Sequence, residues 1–208
     1  MRTYSISGDK DKPSLKQLLF HSGRIILIVN ILTLYRIVTA PLLFALAVTG
    51  SIALFRWLLA VSFLTDALDG FLARRFNAST KLGAKLDSIG DLLTYFVAII
   101  GLIITHPGFF REEFLLICIV LSLNLFQIVF SLTRYGKISS FHTYLAKVSA
   151  ILLSVFIVST FFTNDILYPL FYIASALTIL ELFEEIILIF LLPRWQTDVR
   201  GLFWVLKK

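Results

Sequence analysis

The chain has a single cysteine, Cys118, which excludes an internal disulfide; it lies in an apolar run and reads as ordinary packing. Charge is scarce as well. Only 15% of residues are Asp, Glu, Lys or Arg, against about 25% in a typical soluble domain. No internal repeat, low-complexity tract or linker divides the sequence into two domains. No secretory leader is expected, because residues 1–24 are polar, the apolar run from Ile25 is too long for a signal core, and no small-residue cleavage site follows it.

What is present is apolar surface. Of the 208 residues, 58% are hydrophobic, and the mean hydropathy is +0.89. A single soluble core of this size could not hide that much, which excludes both a soluble globular domain and a disordered chain. The expected class is an all-α integral membrane protein. Six apolar segments, at roughly 25–49, 51–72, 83–105, 113–133, 144–163 and 166–192, each approach the ~20 residues needed to span a bilayer. Thr49-Gly50-Ser51 and Thr163-Asn164-Asp165 read as turns between them, and His106-Pro107-Gly108 as a loop. Ahead of the first span, Leu15, Leu18 and Leu19 fall on one helical face with Lys16 beyond it, the pattern of a short interfacial helix within the segment 1–24. Residues 25–192 then form the six-span domain, and 193–208 a basic tail.

The formal net charge is +6. Its distribution argues against a nucleic-acid partner, because the cations gather beside apolar runs, where they suit anionic lipid headgroups or phosphate ligands. Outside the spans every Lys and Arg except Arg111 lies on one side: the N-terminal segment, the 73–85 loop, the residues around 134–147 and the tail. That bias predicts both termini and the 73–85 loop in the cytoplasm.

The acids within the membrane region carry the chemistry. Asp66 and Asp69 are three residues apart at the end of the second span, and Asp87 and Asp91 four apart at the start of the third, so each pair shares a helix face. Gly83 lies one turn before Asp87 on that face. Placing an Asp at membrane depth costs roughly 2.5–3.5 kcal/mol on insertion scales. Converging carboxylates also repel one another. Hard divalent cations, Mg²⁺ or Mn²⁺, answer both problems. Pairing with Arg74, Arg75, Lys81 or Lys85 is the structural alternative.

Read continuously, the stretch is Asp66-x2-Asp69-Gly70-x2-Ala73-Arg74-x8-Gly83-x3-Asp87-x3-Asp91. It resembles, at every fixed position and spacing, the signature of the CDP-alcohol phosphatidyltransferase family, which that family places across the second and third of six spans. The resemblance implies that Asp66, Asp69 and Asp87 hold two Mg²⁺ or Mn²⁺ ions against a CDP-linked donor pyrophosphate. It makes Asp91 the base for the incoming hydroxyl, in reach of a metal. Gly70, Ala73, Arg74, Gly83 and Thr80 would line the nucleotide, the small residues by admitting it close to the backbone and Arg74 by offering a planar fork of donors. Asn30, Thr33, Arg36 and Pro41 resemble the family's N-x2-T-x2-R-x4-P pattern beside the nucleotide. Asn30 and Thr33 could instead be helix-packing hydrogen bonders. Arg36, charged within a span, requires an anion, either a phosphate or one of the aspartates.

Further along, Arg134, Lys137, His142 and Lys147 cluster where the family forms its acceptor pocket, and together with Arg36 they suit a phosphorylated alcohol; otherwise they are rim charges. Members that act on glycerol 3-phosphate commonly read G-K-x-K-T there, whereas this chain has Ala146-Lys147-Val148-Ser149. The expected reaction is transfer of a phosphatidyl group from CDP-diacylglycerol to an alcohol, sn-glycerol 3-phosphate first, with release of CMP, by a homodimer. Inositol phosphate, phosphatidylglycerol, serine and choline are alternative acceptors, and CDP-choline or CDP-ethanolamine with diacylglycerol is the alternative donor pair. Glu181, Glu184 and Glu185 share a face of the sixth span and are left open between pairing with cations, lining the pocket for an amine and reaching water. A small cation carrier is the rival from another class. It would want acids at mid-membrane and inverted repeats, and neither is present.

Overall fold

The computed structural model describes residues 15–76, 81–139, 141, 143–196, 199 and 201–207, with the side chains of 15–25, 73, 74, 81, 82, 84, 85 and 88 outside that description. Every regular element among the described residues is helical. They are α1 (Leu15–Val48), α2 (Ile52–Arg75), α3 (Lys81–Thr105), α4 (Pro107–Glu112), α5 (Phe114–Tyr135), α6 (Tyr144–Thr163), α7 (Tyr168–Leu191) and α8 (Leu202–Leu206). Three stretches are long and apolar enough to cross a membrane: Ile26–Val48, Phe114–Tyr135 and Tyr144–Thr163. Ile89–Thr105 is a shorter apolar stretch. Leu115, Leu121, Leu125 and Phe126 on α5 are exposed, as lipid-facing residues are.

Two sequence expectations need correction. The N-terminal interfacial helix is not a separate element, since Leu15–Val48 is one helical run. A single interior glycine, here Gly23, costs a helix only about 1 kcal/mol, and extending an existing helix is far easier than nucleating a new one. The loop expected at His106-Pro107-Gly108 holds the start of α4, with Pro107 at a first-turn position, where its missing N–H costs nothing. The two turns fall as expected: Gly50 adopts φ +76°, and Asn164 ends α6 in the left-handed region at φ 58°.

The chain forms two compact units. The first comprises the described residues of Met1–Leu43 and Ala60–Val97, and the second those of Phe44–Leu59 and Ala98–Lys208. In the first unit α1 buries Val29, Thr33, Arg36, Ala40 and Leu43, a stripe at helical spacing. In α3 the buried set includes Gly83, Gly90, Thr94 and Val97. Phe63 and Tyr95 meet edge to face, 5.2 Å between ring centroids.

In the second unit, Phe109 of α4 packs 4.9 Å from Phe171 of α7, and Phe156 of α6 lies 5.3 Å from that same ring. A further cluster joins Phe141, Leu188, Ile189, Leu192 and Val199, with Phe130, Tyr135, Leu202 and Val205 packed against it. Part of the stretch that charge alone marks as a tail therefore has a place in a core.

Candidate active site

The site is built in the first unit, where α1, α2 and α3 each contribute charge. Arg36 is 1% exposed, deep enough that its charge must be matched by protein or ligand. It is matched by all four signature aspartates. Nη1 donates to Asp66 Oδ1 at 2.6 Å and also to Asp91, while Nη2 donates to Asp69 Oδ2 at 3.0 Å and also to Asp87. The planar fork of a guanidinium allows this, since each of its two terminal nitrogens bridges one aspartate of α2 and one of α3, where a lysine offers a single nitrogen.

The surroundings fix the fork. Thr33, one turn before Arg36, places its hydroxyl 3.3 Å from Asp69 Oδ2 and 3.1 Å from Val29 O. Gly90 faces the guanidinium: a Cβ there would stand 3.5 Å from Arg36 Cζ, in ordinary contact. Asp69 is only 2% exposed, while Asp66, Asp87 and Asp91 keep 37%, 41% and 40% of their side chains open. The cluster therefore has a closed floor, Arg36 with Asp69, and an open acidic rim.

One guanidinium cannot neutralise four carboxylates. Single oxygens of Asp66, Asp69 and Asp87 all lie within 4.8 Å of one another, an all-oxygen donor set of the kind that hard divalent cations take. Arg36 Nε is buried and has no hydrogen-bond partner among the described residues, so a donor remains available beside the carboxylates. The three carboxylates therefore fit a divalent cation, and the Nε donor fits an anion beside it. Asp91 stands beside that trio and shares Nη1 with Asp66.

The family model described as CDP-alcohol phosphatidyltransferase matches residues 26–184. The chain belongs to the CDP-alcohol phosphatidyltransferase family. Among curated proteins it is similar to the CDP-diacylglycerol–glycerol-3-phosphate 3-phosphatidyltransferase of Escherichia coli (strain K12), 40% identical over 74 residues that make up 34% of this chain and 41% of that protein. The proteins of the same name from Escherichia coli O157:H7 and Shigella sonnei (strain Ss046) match to the same extent. The matched stretch thus spans less than half of these relatives. No solved structure matches the chain. Long apolar helices and family membership together make this an integral membrane protein.

The remaining candidates divide among three situations. Gly83 is buried in α3, Gly70 is half-buried in α2, and Asn30 is half-buried in α1. Ala73 and Arg74 are placed in α2, but their side chains, like the whole of Thr80 and His142, lie outside the described residues. Arg134, Lys137 and Lys147 belong to the second unit, where each engages neighbours of its own. Arg134 donates to Phe190 O at 3.1 Å, Lys137 Nζ lies 4.9 Å from the Trp195 ring, and Lys147 Nζ 5.4 Å from that of Tyr144. Of the α7 acids, Glu185 accepts from Gln127 and Ser139, and Glu184 Oε1 accepts from the Leu202 N–H at 2.8 Å. Gly90 is a position that sequence reasoning missed; the signal was its place between two signature aspartates on a face that must admit a large cation.

Proposed function

We propose that this protein transfers a phosphatidyl group from CDP-diacylglycerol to the hydroxyl of sn-glycerol 3-phosphate and releases CMP. The observation that supports this most directly is the convergence of all four signature aspartates on Arg36. The partial similarity to enzymes named for that reaction supports the choice of acceptor.

Asp66, Asp69 and Asp87 would hold two Mg²⁺ or Mn²⁺ ions, with Asp91 in reach of one of them. Bound there, the ions supply positive charge to the donor pyrophosphate and to the phosphate that leaves with CMP. Asp91 takes the proton of the acceptor hydroxyl. The acceptor oxygen forms a new bond to the lipid-bearing phosphorus as the phosphorus–oxygen bond to CMP breaks, and in-line positioning with charge stabilisation carries the catalysis. Arg36 holds the aspartates of α2 and α3 in register and keeps Nε for a phosphate oxygen. Gly70, Ala73, Gly83, Arg74, Thr80, Asn30 and Thr33 surround the nucleotide. Arg134, Lys137 and Lys147 receive the acceptor phosphate.

In this reading α1, α2, α3, α5, α6 and α7 are six spans, residues 25–192 are the catalytic domain, and the active site and both termini face the cytoplasm. The working form is a homodimer in a lipid bilayer. The test is CMP release by detergent-purified protein given CDP-diacylglycerol, Mg²⁺ or Mn²⁺ and one acceptor at a time. Metal-dependent release with glycerol 3-phosphate alone is expected. Release with another acceptor replaces the acceptor, and silence with every acceptor and with CDP-choline plus diacylglycerol removes the reading.

A further inference from the structure

After α7 ends at Leu191, ten residues pass before the short α8, and Trp195, Val199 and Gly201 among them are held by neighbours. Trp195 Nε1 donates to Ile138 O at 3.1 Å, in the connection between α5 and α6. Val199 is buried against Phe141, Leu188, Ile189 and Leu192. Gly201 adopts φ +148° and brings the chain so close to Glu184 that a Cβ would stand 2.9 Å from Glu184 Oε1. That same oxygen accepts the N–H of Leu202, the first residue of α8. Trp204 then packs on Tyr144, ring centroids 5.5 Å apart.

These contacts fix the depth of α8. Phe114–Tyr135 and Tyr144–Thr163 are both membrane-crossing by length and composition, so Tyr135 and Tyr144 mark where two spans meet the membrane surface. With Trp204 against Tyr144 and Leu202 and Val205 in the cluster with Tyr135, α8 stands at that same level.

At that level Phe203 and Leu206 are 66% and 67% exposed, and Trp204 is exposed beside them. Lys207 Nζ lies over the Phe203 ring at 5.9 Å. Between 193 and 208 the sequence carries Arg194, Arg200, Lys207 and Lys208 against the single acid Asp198. Bulky apolar side chains, aromatic rings and cations gathered at a span end are the recipe for insertion into an anionic headgroup layer.

We propose that α8 is an interfacial anchor whose Phe203 and Leu206 insert into the anionic lipid surface of the bilayer that houses α5–α7, with Glu184 and Gly201 setting its angle of entry. The segment is therefore a lipid-binding element and not a solvated tail. The inference does not depend on the catalytic reading, because it uses neither the aspartates nor the substrates.

The test uses the whole protein in nanodiscs. With Cys118→Ser removing the only native thiol, Phe203→Cys, Leu206→Cys and, as the exposed polar reference, Gln196→Cys each receive a nitroxide. Collision rates with oxygen and with a water-soluble nickel chelate are read in discs of phosphatidylcholine with and without phosphatidylglycerol. The expected result is a raised oxygen-to-nickel ratio at 203 and 206 relative to 196, rising further with phosphatidylglycerol. Nickel access at 203 and 206 equal to that at 196 overturns insertion. Protection from both probes overturns it in favour of a protein contact, and equal ratios in the two discs overturn the assignment to anionic lipid. Adding Gly201→Ala is expected to lower the ratio at 203; an unchanged ratio there overturns the role given to Glu184 and Gly201.

Discussion

Arg36 and Asp69 form the enclosed floor of the site, Nη2 standing 3.0 Å from Oδ2 with only 1% and 2% of the two side chains exposed. Removing one partner of a buried pair leaves the other charge uncompensated, at a cost of about 3–5 kcal/mol. Here the loss reaches further, because the same guanidinium also serves Asp66, Asp87 and Asp91. Arg36→Met is expected to lower the apparent melting temperature in EDTA and to abolish CMP release. Added Mn²⁺ should recover part of the melting temperature, since cations can take over neutralisation. Arg36→Lys keeps the charge without the fork and should fall between the two. Melting curves with and without metal decide it, and a Met variant as stable in EDTA as the parent would show that the four ion pairs contribute little.

Asp91 stands beside the trio of carboxylate oxygens, sharing Arg36 Nη1 with Asp66, and it keeps an open side. Asp91→Asn preserves shape and removes the proposed proton acceptor. Losing a positioned base typically costs about 10²–10⁴-fold in rate. The expected pattern is a turnover loss of that order with CDP-diacylglycerol binding largely retained, measured by CMP release and equilibrium binding. Full activity would remove Asp91 as the base.

Asp66→Asn and Asp87→Asn test the trio itself. Each replaces an anionic oxygen with a neutral one in a set that spans only 4.8 Å. Both should weaken Mn²⁺ binding, followed by its paramagnetic resonance signal, and metal-dependent nucleotide binding should weaken with it. An unchanged metal titration would take these residues out of the metal site.

How much of this was legible in advance depends on the range of the interaction. Asp66, Asp69, Asp87 and Asp91 could be read because their spacing is local to two helices. The need of Arg36 for an anion was equally plain. Its choice of partners was not, because it joins residues 30 to 55 positions away in sequence, which only the packing of α1, α2 and α3 determines. Charge composition concealed the structure of the C-terminal stretch. Arg194, Arg200, Lys207 and Lys208 suggested a basic tail, while the apolar run Leu202-Phe203-Trp204-Val205-Leu206 between them is the stretch that forms α8. In the same way α4 was hidden by Pro107-Gly108, a dipeptide that marks a turn as readily as a helix start.

Gly101 offers a test of packing in the second unit. A Cβ on it would lie 2.6 Å from Phe55 Cζ and 3.0 Å from Phe161 Cζ, and both rings are fully enclosed. Those rings already meet edge to face at 4.8 Å, so neither has room to retreat. Forcing extra volume into a tight core costs typically about 1–3 kcal/mol. Gly101→Ala should lower the apparent melting temperature while CMP release per folded molecule is retained. An unaltered melting temperature would mean that the Phe55 ring can turn aside.

Lys147 gives the cleaner test of the acceptor pocket. Arg134 donates to carbonyls at the end of α7, so Arg134→Ala removes helix-end support together with a charge, and its effect on acceptor binding would be mixed with one on stability. Lys147 instead rests over the Tyr144 ring, 5.4 Å from its centroid, on the first turn of α6, and its side chain donates to no carbonyl among the described residues. A charged hydrogen bond to phosphate contributes roughly 1.5–3 kcal/mol, the equivalent of about tenfold or more in affinity. Lys147→Ala should therefore raise KM for glycerol 3-phosphate by about tenfold or more, with KM for CDP-diacylglycerol and kcat close to the parent. Lys147→Arg should restore most of the loss. A change confined to the donor KM would move Lys147 out of the acceptor pocket and towards the nucleotide, and no change in either would leave it a cation of the membrane rim.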